Sequence, residues 1–108
     1  MGLDLVKEIY LLTKKVPKEE LFGLISQMRR ASTSILANIA EGFGRYTYAD
    51  KANKFTIARG ECNEIEAFVY VIVELKFVTS EDVKKALEFI DHEERLLSGL
   101  ISSCRKRG

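Results

Sequence analysis

The stretch Thr47–Leu75, TYADKANKFTIARGECNEIEAFVYVIVEL, decides the fold. It contains no proline, and Ala52, Phe55, Ala58, Cys62, Ile65, Val69, Ile72 and Val73 recur at steps of three and four, the spacing that aligns side chains on one helix face. Thr47 followed by Asp50 has the form of a capping box with Asp in place of Glu, so a long helix is predicted from about Tyr48 to Leu75. At about 100° per residue, Ile57, Phe68, Val71 and Leu75 fall on the side opposite Phe55 and Val73. A two-faced helix must bury its second stripe, either in a broad core within the chain or against another subunit. The interface reading is adopted because long exposed apolar stripes are disfavoured on monomers and Gly60 permits close helix approach. Ile57, Phe68, Val71 and Leu75 are therefore the oligomer-interface candidates.

The pattern extends outward in both directions. Downstream of the Lys76-Phe77-Val78 turn, Thr79 with Asp82 repeats the capping signal and opens a helix to about Cys104, with Val83, Leu87, Ile90, Leu97, Ile101 and Cys104 as its stripe. Upstream, Lys18-Glu19-Glu20 opens a helix whose Leu21, Leu24, Ile25, Met28, Ser32, Ile35 and Ile39 share a face. It should end near Gly42 and Gly44, since glycine readily takes the left-handed geometry of a C-terminal cap. A first helix from about Leu3 to Lys15 carries Leu5, Val6, Ile9 and Leu12, with Val16 beyond it, and Pro17 stops it. Four amphipathic helices with connections of about three to six residues predict an all-α, antiparallel up-down-up-down four-helix bundle, one domain over residues 1–108.

The chain has 108 residues, 46% of them apolar and 31% charged, which fits one such domain and excludes a multidomain enzyme. Its longest apolar run, Ala67 to Val73, is far short of the roughly 20 residues needed to span a bilayer. The start of the chain lacks the features of a secretory signal, so no membrane association and a cytoplasmic location are expected. Cys62 and Cys104 are then read as packed, reduced thiols. Net charge is +1, yet residues 1–60 carry ten basic and six acidic side chains and residues 61–108 carry seven and ten. The basic first half suits an anionic partner; alternatively, the two halves complement one another within the fold or between subunits.

Chemistry is sparse. The sole histidine, His92, lies among Asp91, Glu93 and Glu94 and reads as a solvated polar residue, because no nucleophile is placed beside it. Consecutive helical residues point in different directions, so these four do not make a metal site, and no catalytic, metal-ligating or cofactor-binding residue is assigned. Gly42-Phe43-Gly44-Arg45 follows a helix rather than a strand and reads as a helix terminator, not a phosphate loop. The next helix start, with Arg45 before it and Lys51 and Lys54 in its first turns, is a candidate anion site. Gln27, Ser34, Asn38 and Glu41 flank the second helix's apolar face, with Arg30 among them. Arg59 and Glu66 hold a comparable flank on the third, and together these are candidates for a polar layer or for ligand recognition.

The run Ser26-Gln27-Met28-Arg29-Arg30-Ala31-Ser32-Thr33-Ser34-Ile35-Leu36-Ala37-Asn38-Ile39-Ala40-Glu41-Gly42-Phe43-Gly44-Arg45 closely resembles the signature of the four-helix bundle family also called the rRNA intervening-sequence protein family. Lys14 to Leu24 and Ala58 to Glu66 continue the resemblance, and Asn38-Ile39-Ala40-Glu41-Gly42 is its most specific element. The resemblance implies an antiparallel bundle that assembles into rings, commonly pentamers, without catalytic activity. It also implies kinship with the accessory protein of diversity-generating retroelements, a basic pentamer that binds a reverse transcriptase and nucleic acid. This chain departs from that branch in being nearly neutral.

Three functions compete: an oligomeric interaction scaffold engaging RNA or a nucleic-acid-processing protein, a self-assembling structural protein, and an enzyme with intersubunit sites. The first is preferred. Its nucleic-acid candidates are Arg29, Arg30, Arg45, Lys51 and Lys54, with binding expected to be weak and independent of sequence. Arg105-Lys106-Arg107 is weighed as a further contributor to that binding and read instead as a disordered solubilising tail.

Overall fold

The computed structural model describes residues 2–108, which form four α-helices and no strand: α1 (Gly2–Thr13), α2 (Ser26–Gly44), α3 (Tyr48–Glu74) and α4 (Lys84–Arg107). The molecule measures 45 × 24 × 19 Å, its long axis matching the length of the 27-residue α3.

The signals in the decisive stretch act as expected. Thr47 accepts a hydrogen bond from the Asp50 amide at 3.1 Å, and α3 follows without interruption. Its far end closes with the Phe77 amide donating to the Ile72 carbonyl at 3.0 Å and the Lys76 amide to that of Val73 at 2.9 Å. This is a Schellman closure, with Lys76 at φ 63° where glycine is the usual occupant. The second box forms in both directions: the Thr79 amide donates to Asp82 Oδ2 (2.9 Å) and the Asp82 amide to Thr79 Oγ1 (3.1 Å). Those bonds, together with Lys15 donating to Asp82 at 2.9 Å, hold the Asp82 carboxyl below its ordinary range.

Several expectations need correction. Residues 80–83 form turns, so regular helix begins at Lys84, and it runs on through Arg105-Lys106-Arg107, which is its last turn rather than a disordered tail. The second helix does not begin as α-helix at Lys18. A 3₁₀ turn (Lys18–Glu20) and a π-helical segment (Leu21–Ile25) precede α2, and this change of pitch leaves Leu21 and Phe22 exposed. Glycine does not close α2 by left-handed geometry, since no described glycine has positive φ. Gly42 lies inside the helix and is buried, because Phe55 of α3 packs where its side chain would be. Gly60 has nothing within 4 Å of its missing Cβ, so it mediates no close approach within the chain.

Leu5, Ile9, Met28, Ala31, Ile35, Phe55, Cys62, Ile65, Val69, Ile72, Ile90, Leu97 and Ile101 fill the centre. Each large aliphatic or aromatic residue among them stabilises the fold by about 1.5–3 kcal/mol on burial. Val6, Leu24, Ile39, Ala52, Val73 and Leu87 are half-buried at the margins, and Ala86 takes the central place expected of Leu87.

Candidate functional site

The turn between α2 and α3 is short and closely bonded. Arg45 is extended (φ −75°, ψ 153°) and its amide donates to the Gly42 carbonyl at 3.2 Å. Lys51 Nζ donates to the Phe43 carbonyl at 2.9 Å, satisfying an acceptor at the end of α2, and Lys54 Nζ lies 3.8 Å from Glu41. Arg45 itself is exposed. Around these cations three aromatic rings are exposed: Phe43, Tyr48 and above all Tyr46, at 99%. The end of α4 reaches the same place, with the Arg107 guanidinium 5.9 Å from the Tyr48 ring centroid. Arg105, Lys106 and Arg107 also sit at the negative end of a helix dipole, where cations are stabilised. One end of the molecule thus gathers Arg45, Lys51, Lys54 and the α4 terminus around three exposed rings.

Arg29 and Arg30 lie elsewhere, Arg30 about 22 Å along α2 from Arg45 at 1.5 Å per residue. Arg29 Nε donates to Thr13 Oγ1 at 2.9 Å, and its guanidinium lies 4.5 Å from the Tyr10 ring centroid, so it ties α2 to α1. Arg30 bonds Gln27 on its own helix at 3.2 Å and the Glu61 and Glu64 carboxylates of α3, with Glu61 at 3.5 Å. The five nucleic-acid candidates therefore divide into three at the aromatic end and two committed to helix packing.

The polar candidates are placed as follows. Asn38 Nδ2 donates to the Ser34 carbonyl (2.9 Å) and hydroxyl (3.1 Å), so these two bond to one another. Gln27 accepts from Arg30, Glu41 faces Lys54, and Arg59 reaches Ser98 of α4 at 3.3 Å. Glu66 raises the carboxyl of Glu94 across the α3–α4 seam, after burial as the main cause. Of the interface candidates, Ile57, Val71 and Leu75 are exposed, while Phe68 is half-buried against the core.

The thiols of Cys62 and Cys104 are buried and not joined to one another. Burial, then the Glu94 and Glu93 carboxylates, push the Cys62 thiol up to about 12. Among the described residues no group of three or more His, Cys, Asp or Glu side chains is arranged to hold a metal ion, and no helix is long and apolar enough to cross a membrane.

Two features escaped the sequence reading. The rings of Phe43, Tyr46 and Tyr48 interleave with Arg45 in the sequence itself, a pattern recognisable as a stacking surface. Glu93 is 1% exposed, and its position three residues after Ile90 and four before Leu97 put it in the buried stripe. His92 beside it is exposed, as expected.

A family model described as 23S rRNA-intervening sequence protein matches residues 1–99. The chain belongs to that family. A solved structure from Bacteroides thetaiotaomicron VPI-5482, a protein of unknown function from the S23 ribosomal protein family, is similar to this family member, with 30% identity and a TM-score of 0.84. The alignment covers 93% of this chain and 94% of the Bacteroides protein. Among curated proteins none matches. In this member of the intervening-sequence family the Asn38-Ile39-Ala40-Glu41-Gly42 segment couples three structural tasks: Asn38 bonds within α2, Glu41 faces Lys54, and Gly42 admits Phe55.

Proposed function

We propose that this protein is a non-enzymatic, cytoplasmic scaffold that forms a ring-like homo-oligomer, with a pentamer favoured, and binds single-stranded RNA weakly and without sequence preference. The observation that carries the binding reading is the end of the molecule where Arg45, Lys51, Lys54 and the last turn of α4 surround exposed Phe43, Tyr46 and Tyr48. Cations attract phosphates, and exposed rings offer faces on which unpaired bases stack whatever their identity. An up-down-up-down antiparallel arrangement is supported by contacts that run in opposite senses along successive helices. Arg30 meets Glu61 while Phe43 meets Lys51; Arg59 meets Ser98 while Tyr48 meets Arg107; and Lys15 meets Asp82. Assembly is supported by the exposed apolar row of Ile57, Val71 and Leu75, which share one side of α3. In a ring that row meets a different patch on the neighbour, and repetition multiplies a modest RNA surface.

Fluorescence anisotropy with a labelled single-stranded RNA tests the binding. Affinity should fall steeply between about 50 and 200 mM salt as counterions are released. Tyr46→Ala and Arg45→Glu should each weaken it, while Arg30→Glu should act on stability instead. Absence of binding at low salt overturns the RNA reading. Light scattering that finds a monomer at micromolar concentration overturns assembly, and a Val71→Glu variant that keeps its oligomeric mass rejects the proposed face.

A further inference from the structure

Where the chain passes from α1 to α2, two hollows adjoin one another. The first, about 340 Å³, is walled by Leu21, Phe22, Ile25 and Arg29. The second, about 220 Å³, shares Leu21, Ile25 and Arg29 and adds Lys14, Val16 and Lys18. Together they fall within the about 300–1,000 Å³ typical of small-molecule sites. Their walls separate by chemistry. Val16 and Ile25 are buried, and Leu21 and Phe22 extend that apolar surface outward, Phe22 at 93% exposure. The charged groups on the walls are all cations, and neither Glu19 nor Glu20 lines either hollow, although both follow Lys18 in sequence. Among the described residues, Lys14 and Lys18 form no ion pair or hydrogen bond. Arg29 is half-buried and held from two sides, by its Nε bond to Thr13 and by the Tyr10 ring, and its Nη groups have no acceptor there. A guanidinium fixed in place with donors to spare suits a carboxylate or phosphate, which it binds through parallel hydrogen bonds.

We propose that these joined hollows bind a small amphiphilic anion, a carboxylate or phosphate head carrying a short alkyl chain. The head pairs with the Nη groups of Arg29, and Lys14 and Lys18 add positive charge around it. The chain lies along Val16, Leu21, Ile25 and Phe22, covering apolar surface that the fold leaves to water. Because Thr13 and Tyr10 already hold the guanidinium, little side-chain freedom is lost on binding. The inference is independent of the RNA reading, which concerns cations at the turn between α2 and α3.

The test is an NMR titration of the intact protein with octanoate and with octyl phosphate, each below its micellar concentration. Octanol supplies the chain without the charge, and acetate the charge without the chain. Saturable shifts at Leu21, Ile25 and Arg29 with a Kd below about 1 mM are expected for at least one amphiphile, the tighter identifying the head, and binding of both controls should be more than tenfold weaker. Arg29→Gln should weaken binding more than tenfold. Lys14→Gln with Lys18→Gln, both at exposed positions, should weaken it several-fold and keeps the proposal testable if the Arg29 variant fails to fold. Arg45→Glu should leave it unchanged. Light scattering at saturation addresses the rival occupant: unchanged mass supports a free ligand, whereas a fall in mass not produced by octanol shows that a second copy of the chain fills the hollows and overturns the proposal. Absence of saturable binding overturns it too, as do equal binding of octanol, undiminished binding in either folded variant of the wall, or loss of binding in Arg45→Glu.

Discussion

Gly42→Ala should destabilise the protein although alanine is the better helix former. A Cβ at this position falls 2.5 Å from Phe55 Cε1, 2.8 Å from Cδ1 and 3.1 Å from Cζ. The ring has little freedom to retreat, being 1% exposed and held edge-on by Phe43 with centroids 5.2 Å apart. At an unobstructed helical site the exchange gains about 0.5–1 kcal/mol. Overpacking a close-packed contact costs about 1–3 kcal/mol, so the net loss reaches about 2.5 kcal/mol at most and centres near about 1 kcal/mol. For a domain near 100 residues a loss of about 1 kcal/mol lowers Tm by about 4–8 °C. Gly99 supplies the control: nothing lies within 4 Å of its missing Cβ, so Gly99→Ala should raise Tm by a few degrees. Thermal melts followed by circular dichroism, all at one protein concentration because self-association shifts Tm, read both signs. Phe55→Leu should do less damage in the Gly42→Ala background than in the wild type, because the smaller side chain makes room for the added methyl. A Gly42→Ala protein that melts with or above the wild type, or strictly additive effects of the two substitutions, would refute the steric account.

Ile35 is fully buried, and Ile35→Asp should abolish cooperative unfolding by placing a carboxylate in the core at a cost of several kcal/mol; an unchanged melting curve would contradict this. Lys76→Gly should stabilise by about 0.5–1 kcal/mol because the left-handed position at φ 63° favours glycine, and a lower Tm would count against it. Burial raises the Glu93 carboxyl above its ordinary 4.5, with His92 and the N-terminal ammonium opposing and Asp4 adding. The folded chain therefore holds that proton to higher pH than the unfolded chain, and the associated stability is complete below about 4.5 and fades as pH rises through the folded value. Tm should fall more from pH 4 upward in the wild type than in Glu93→Gln, and equal slopes would disprove the linkage; Glu61 and Glu94, also raised, are common to both proteins. Cys62, with its thiol near 12, should resist alkylation at neutral pH until the protein unfolds, so rapid labelling of the native state would place it nearer the surface than the structure does.

The long helix was legible because both of its determinants are local: a threonine with an aspartate three residues on, and a stripe with no interruption. Where the outcome depended on a distant partner, local reading failed. Gly42 has the sequence appearance of a cap, and only the ring of Phe55, on another helix, reveals that it is a contact. Leu21 fits an α-helical period, but the chain enters α2 through 3₁₀ and π turns that leave it exposed. The basic end was half legible: Arg45, Lys51 and Lys54 are close in sequence and Arg105-Lys106-Arg107 stands out as a basic run, but only the fold brings Arg107 to the Tyr48 ring. Arg29 and Arg30 carry the same charge as Arg45, and charge alone does not distinguish a cation paired across helices from one left to solvent.

The order of the helices also bears on how the chain folds. Among the described residues, α2 packs chiefly on α3 and α3 on α4, neighbours in sequence, and α1 against α4 is the one substantial pairing between distant elements. Sequence-local pairing keeps contact order low and favours rapid folding. The α2–α3 pair can form as soon as both segments are available, and α4 can extend it. Settling α1 against α4, with Lys15 beside Asp82, closes the longest loop and carries the largest closure entropy. Docking of the shortest α-helix is therefore the natural last step of folding, and its release the natural first step of unfolding.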